Sequence, residues 1–79
     1  MMILMYTRSG CMPCKAAKRL LDQLMVPYSV FTLPDGPEAV EGLPEALRGY
    51  TQLPIIVFPN GSVETGFHPD RIKKACQNL

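Results

Sequence analysis

These 79 residues read as a small α/β fold: a four-stranded mixed sheet flanked by three helices, in the order βαβ-α-ββα. Three observations support that reading. Met2–Thr7 is a short, nearly continuous apolar run, followed by a helical pattern opening near Cys11 and a β-rich run at Tyr28–Leu33. Ile55–Phe58 and Ser62–Thr65 flank Pro59-Asn60-Gly61, turn chemistry that makes them an antiparallel hairpin. Finally, Ile72, Ala75, Cys76 and Leu79 recur at i, i+3, i+4 and i+7, one apolar face of a closing helix.

Each element follows from local chemistry. Arg8-Ser9-Gly10 is a loop, and Pro13 falls in the first helical turn, where its missing N–H costs nothing. Cys14, Ala17, Leu21, Leu24 and Met25 line one helix face, Lys15, Lys18, Arg19 and Asp22 the other, and Pro27 is expected to stop the helix. A strand reached through a crossover helix runs parallel to the first, so Tyr28–Leu33 completes a βαβ unit. Asp35-Gly36 is a turn signal. Glu38–Arg48 is helix-prone but interrupted by Gly42 and Pro44, which predicts a bent or two-part helix. Pro69 sits in the first turn of the last helix, and Asp70 complements its dipole.

Length and composition bound the possibilities. A chain of 79 residues is one domain, spanning 1–79, and at this size only about 60% of the unfolded surface can be buried. Apolar residues are 47% of the chain, which excludes disorder, and the formal charge of +1 without a basic stripe argues against nucleic acid. The N-terminal apolar run is too short for a signal peptide, and no stretch is long enough to span a membrane. Three cysteines, two of them in a Cys-x-x-Cys, do not make a secreted disulfide scaffold. The expectation is a cytoplasmic protein in a reducing compartment, and a monomer.

The chemistry lies in Cys11-Met12-Pro13-Cys14. Strand, loop, Cys-x-x-Cys and helix is the layout of dithiol–disulfide exchange. At the helix end Cys11 should be partly exposed, with its thiolate favoured by free N–H groups and the helix dipole. Arg8 and Lys15 are nearby cations expected to modulate it weakly, because exposed charges are screened. Cys14, on the apolar face, should be shielded. Cys11 then attacks a target disulfide and Cys14 resolves the mixed disulfide. The alternatives are structural thiols or half a zinc site, but zinc normally takes four ligands and only two thiols are local, so no metal is expected. Cys76 falls on an apolar stripe as a small hydrophobe, and His68 is a helix-entry or surface residue. Pro54 directly precedes a buried strand; taken alone, the residues favour a trans bond there.

Tyr6-Thr7-Arg8-x-x-Cys11-x-x-Cys14, Gln52-Leu53-Pro54 and Gly66-Phe67-x-Pro69-Asp70 together resemble the NrdH-redoxins, a glutaredoxin-like branch of the thioredoxin superfamily. The resemblance runs over essentially the whole chain. It implies a thioredoxin fold in which Pro54 is cis and sits beside Cys11, and in which Leu53 offers main-chain contacts to an extended target segment. Met12, Pro13, Leu53, Pro54, Gly66 and Phe67 are thereby the expected substrate-binding residues, although Phe67 is equally readable as core. It implies an electron donor to class Ib ribonucleotide reductase or another disulfide-containing protein. No cofactor would be bound, and electrons would come from NADPH through thioredoxin reductase.

Two features separate this chain from ordinary glutaredoxins: it lacks an aromatic residue inside Cys-x-x-Cys, and it lacks a Gly-Gly-x-Asp-Asp-like glutathione segment, of which only Asp70 is matched. It also departs from the NrdH pattern. Glu64-Thr65-Gly66-Phe67 stands where the family usually has Trp-Ser-Gly-Phe, and Met12-Pro13 stands where Val-Gln is common. Such changes move a redox potential by tens of millivolts, and about 30 mV is a tenfold change in the exchange equilibrium. The competing readings are a glutathione-dependent glutaredoxin, a redox-inert module holding a peptide in the Pro54 groove, and a metal cluster shared by two copies through Cys11.

Overall fold

Strand β1, Ile3–Arg8, occupies an interior position in the sheet of the computed structural model, which describes residues 2–34 and 41–77. It pairs in parallel with β2, Tyr28–Leu33, from Ile3 opposite Tyr28 to Arg8 opposite Leu33. On its other side it pairs antiparallel with β3, Ile55–Val57, which in turn pairs antiparallel with β4, Val63–Thr65. The order is β2-β1-β3-β4, a four-stranded mixed sheet as expected. Strand β3 stops one residue before the expected Phe58, because the Phe58 N–H already closes the hairpin on Ser62 O at 2.9 Å. Asn60 Oδ1 accepts from the Ser62 N–H at 3.0 Å, and Gly61 takes φ +91, so the turn uses the expected residues.

Alternation along the strands divides the core into two layers. Ile3, Met5 and Ile56 face the helices, where they meet Ala17, Leu20, Leu21, Phe58 and Ile72. Tyr6, Leu33 and Ile55 face the opposite side and pack with Leu43 and Leu47. Each buried leucine, isoleucine, methionine or phenylalanine among them contributes roughly 1.5–3 kcal/mol by leaving water. The two layers clamp β1, and that fixes where its C-terminal end delivers the following loop.

Helix α1, Met12–Gln23, buries Cys14, Ala17, Leu20 and Leu21. Its end differs from expectation. The helix stops well before Pro27 because Met25 adopts φ +57, its N–H bonding Asp22 O at 3.1 Å while the Val26 N–H reaches back to Leu21 O at 3.4 Å. This is a Schellman cap with methionine where glycine is usual. Leu24 is the C-cap yet still packs half-buried against the core, as expected of the apolar face, whereas Met25 turns away from it and is exposed. Tyr28 Oη donates to Asp22 Oδ1 at 2.7 Å, tying the helix end to β2. Burial, then that bond and the Asp22 charge, raise the Tyr28 phenol above its ordinary range.

Helix α2, Pro69–Gln77, has Pro69 and Asp70 in its first turn and seats Ile72 fully in the core, with Ala75 and Cys76 half-buried beside it. Leu79, the last residue of the expected stripe, lies outside the described residues. Between β2 and β3 the sequence predicts a third helix over Glu38–Arg48. Part of that segment, and the Asp35-Gly36 turn, lie outside the described residues. The described part holds a short 3-10 helix, Glu45–Leu47, opening after Pro44 and steadied by Arg48 Nε donating to Leu43 O at 3.3 Å. Two α-helices stand in full among the described residues, and the expected third falls on a segment described only in part, whose first described residue, Glu41, is helical. None of the described helices is long and apolar enough to cross a membrane.

Candidate functional site

The chain leaves β1 at Arg8 and turns through Ser9 and Gly10, with Gly10 at φ +76 and the Cys11 N–H closing the turn on Arg8 O at 3.2 Å. That turn places Cys11 at the N-cap of α1 in an extended conformation, φ −79 and ψ 108. Its Sγ accepts the backbone N–H of Cys14 at 3.3 Å, and its carbonyl accepts the Lys15 N–H at 3.1 Å. A sulfur thus stands where a serine or aspartate oxygen usually caps a helix, taking one of the otherwise unpaired N–H donors. Cys11 and Cys14 are joined as a disulfide with their Cα atoms 5.2 Å apart. Cys11 is half-exposed, whereas Cys14 is 2% exposed and packed on the apolar side of the helix.

A shallow depression of about 430 Å³ opens at this helix end. Arg8, Cys11, Met12 and Pro13 form one wall, and Thr51 and Leu53 the other. Met12 is 70% exposed, and Pro13 and Lys15 are also exposed. The Leu53–Pro54 bond is cis, in line with the family resemblance and against the reading from the residues alone. Pro54 is buried, and its carbonyl accepts the Gly66 N–H at 3.0 Å, which locks the Pro54 loop to the end of β4.

Gly66 is buried at φ +72, and a Cβ there would meet Gln52 Oε1 at 3.1 Å and His68 Nε2 at 3.3 Å. Glycine is therefore favoured by the backbone conformation, and a Cβ would also push the Gln52 and His68 side chains aside by a few tenths of an ångström. Phe67 is 37% exposed rather than core, and neither it nor Gly66 nor Lys15 lines the depression beside Cys11. His68 is exposed at the helix entry, its carbonyl accepting the Ile72 N–H at 3.0 Å.

Some residues around the site carry no local mark in the sequence. Thr51 lines the depression with Cys11 across forty positions of chain, and the Gln52 and His68 side chains both lie over Gly66. Their only cue is adjacency to Leu53-Pro54 and to the late Gly-Phe segment. Glu64 pairs with Ile56 and so lies on the helix side of the sheet, in a separate depression with Arg71 and Lys74. Cys76 is a free, half-buried thiol in α2, and burial pushes its pKa up, which makes it less reactive than an ordinary cysteine. Among the described residues no cluster of three or more histidine, cysteine or acidic side chains is placed to hold a metal.

The glutaredoxin family profile matches residues 3–63. The chain is 34% identical to the glutaredoxin-like protein NrdH of Escherichia coli K12 over 74 residues, covering 94% of this chain and 88% of that one. The solved NrdH-redoxin of Escherichia coli superposes with a TM-score of 0.76 at 32% identity, covering 94% of this chain and 93% of its own; that structure is described as explaining a thioredoxin-like activity profile. A glutaredoxin from Archaeoglobus fulgidus, at 22% identity and a TM-score of 0.77, shares the fold.

Proposed function

On the premise that this chain belongs to the glutaredoxin family, as a thiol–disulfide oxidoreductase of the NrdH type with a thioredoxin-like fold, we propose that it passes electrons from thioredoxin reductase to a protein disulfide. In the reduced protein the Cys11 thiolate is favoured by the Cys14 N–H and the helix dipole. It attacks one sulfur of the target disulfide, and the other target sulfur leaves as a thiolate. Cys14, shielded until then, gives up its proton and attacks Cys11 Sγ, releasing the second target thiolate. Two electrons have moved to the target, whose two thiolates take one proton from Cys14 and one from water, and the product is the Cys11–Cys14 disulfide present in this structure.

The observation that carries this reading is the contrast at one helix end: a half-exposed sulfur capped by an N–H, and a buried partner one turn behind. The depression beside Leu53 supports docking of an extended target segment against the Pro54 loop, with Met12 and Pro13 as apolar contacts. Arg8 and Lys15 bias the thiolate from the surface; Gly66 is tied to the Pro54 loop by its N–H, and the exposed Phe67 next to it in the chain is a further contact for a partner. The resemblance to NrdH-redoxins supports class Ib ribonucleotide reductase as the target and NADPH, through thioredoxin reductase, as the electron source. Such a donor belongs in a reducing compartment, the cytoplasm.

Reductase choice tests the proposal. With NADPH and thioredoxin reductase the protein should sustain reduction of a protein disulfide; with NADPH, glutathione and glutathione reductase it should be slow. Turnover confined to the glutathione system would overturn the assignment of the electron source.

A further inference from the structure

We propose that the Met12 thioether is an oxidation site for hydroperoxides, and that its sulfoxide weakens docking of protein partners at the dithiol. This rests on the functional reading above, because it takes the depression beside Leu53 as the docking surface.

The thioethers of this chain stand in different surroundings. Met5 is 0% exposed, beyond the reach of a solvent oxidant. Met2 is 48% exposed, and its Sδ accepts a hydrogen bond from Ser29 Oγ at 2.9 Å. Met12 and Met25 are open, at 70% and 88% exposure. Met12 opens the helix and Met25 lies two residues past its last one, so the twelve-residue helix, about 18 Å long at about 1.5 Å per residue, keeps them at opposite ends. Of the two, only Met12 lies between the cysteines and walls the depression shared with Thr51 and Leu53.

A partner that reaches Cys11 must cover Met12. An unbranched, polarisable thioether suits that position, since it adapts to partners of different shape. Oxidation changes it sharply. The O–O bond of the hydroperoxide breaks, one oxygen bonds Met12 Sδ, and the remainder leaves as water or an alcohol. The sulfur loses the two electrons that the peroxide gains. The sulfoxide is polar and must be desolvated when a partner covers it, so the apolar contact becomes a cost. Because the change is confined to the docking surface, it should raise KM and leave the exchange chemistry of Cys11 and Cys14 intact.

The test starts from the disulfide form, in which neither active-site sulfur is a thiolate. Wild type, Met12→Leu and Met25→Leu proteins are treated with hydrogen peroxide, mapped by peptide mass spectrometry, and assayed as the varied substrate of thioredoxin reductase with NADPH and a protein-disulfide acceptor. Sulfoxide should form at Met12 and Met25 and not at Met5. Treated wild type and Met25→Leu should show KM raised by about threefold to tenfold with kcat held, the scale of one lost apolar contact. Treated Met12→Leu should match untreated Met12→Leu, and methionine sulfoxide reductase should restore treated wild type. Equal loss in Met12→Leu, an unmodified Met12 alongside a modified Met25, or unchanged KM in treated wild type would each overturn the proposal while leaving the functional reading intact. Untreated wild type that fails to turn over with thioredoxin reductase would overturn both.

Discussion

Cys11 should alkylate faster than a free cysteine below neutral pH and slower well above it. A Cys14→Ser, Cys76→Ser variant leaves this one thiol and keeps the backbone N–H at position 14 that caps it at 3.3 Å. One N–H···S⁻ bond plus the helix N-terminus favour the thiolate over the thiol by about 1–2 kcal/mol together. At pH 6 to 7 that multiplies the thiolate fraction by about five to thirty, since 1.36 kcal/mol is tenfold. The stabilised thiolate is also a weaker nucleophile, and a Brønsted slope of about 0.4–0.5 removes roughly half of the logarithmic gain. The net expectation is alkylation about two- to sixfold faster than in a peptide of residues 7–15 carrying the same serine. Above pH 10, where both thiols are ionised, only the weaker nucleophilicity remains and the order should invert. Iodoacetamide labelling followed by mass spectrometry across pH 6 to 10 measures both limbs. Parallel profiles for protein and peptide, with no crossing, would refute the capping argument.

Other consequences follow from the same geometry. Met25→Gly should stabilise the protein by about 1 kcal/mol, relieving a left-handed backbone at an exposed residue, and raise Tm by about 4–8 °C. Gly66→Ala should cost about 1–2 kcal/mol in a urea titration, through its φ of +72 and the close Gln52 and His68 side chains. Tyr28→Phe should cost about 0.5–1.5 kcal/mol at pH 7 by removing the hydrogen bond to Asp22. The Tyr28 phenol is raised in the folded state, so its contribution is present in full below pH 10 and is lost as pH rises through the folded value. The wild type and Tyr28→Phe stabilities should therefore converge in strongly alkaline solution, and a gap that widened there would contradict the assigned cause.

The parts of this molecule that are legible in its sequence are those whose cause is local. Apolar runs and the Pro59-Asn60-Gly61 turn specify the sheet, and periodicity places Ala17, Leu21 and Ile72 in the core. The dithiol is legible because Cys11 and Cys14 sit on one helical turn whose first residues include Pro13. Less visible is the end of α1, where methionine adopts a conformation that sequence rules reserve for glycine, so that Pro27 looks like the terminator. The approach of Thr51 and Leu53 to Cys11 depends on sheet order and has no local signature. Nor does the cis bond at Pro54; only the family resemblance points to it. Phe67 shows the same limit, since an aromatic residue beside a buried glycine reads equally as core or surface until the packing around it is known.

The central claim is a division of labour between the two sulfurs, and trapping with a protein-disulfide target measures it. Cys14→Ser protein, incubated with oxidised ribonucleotide reductase, should accumulate a covalent one-to-one adduct through Cys11 that is released by dithiothreitol, while Cys11→Ser forms none. An adduct that forms through Cys14 in the Cys11→Ser variant, or wild-type rates of disulfide reduction by either variant, would contradict the account.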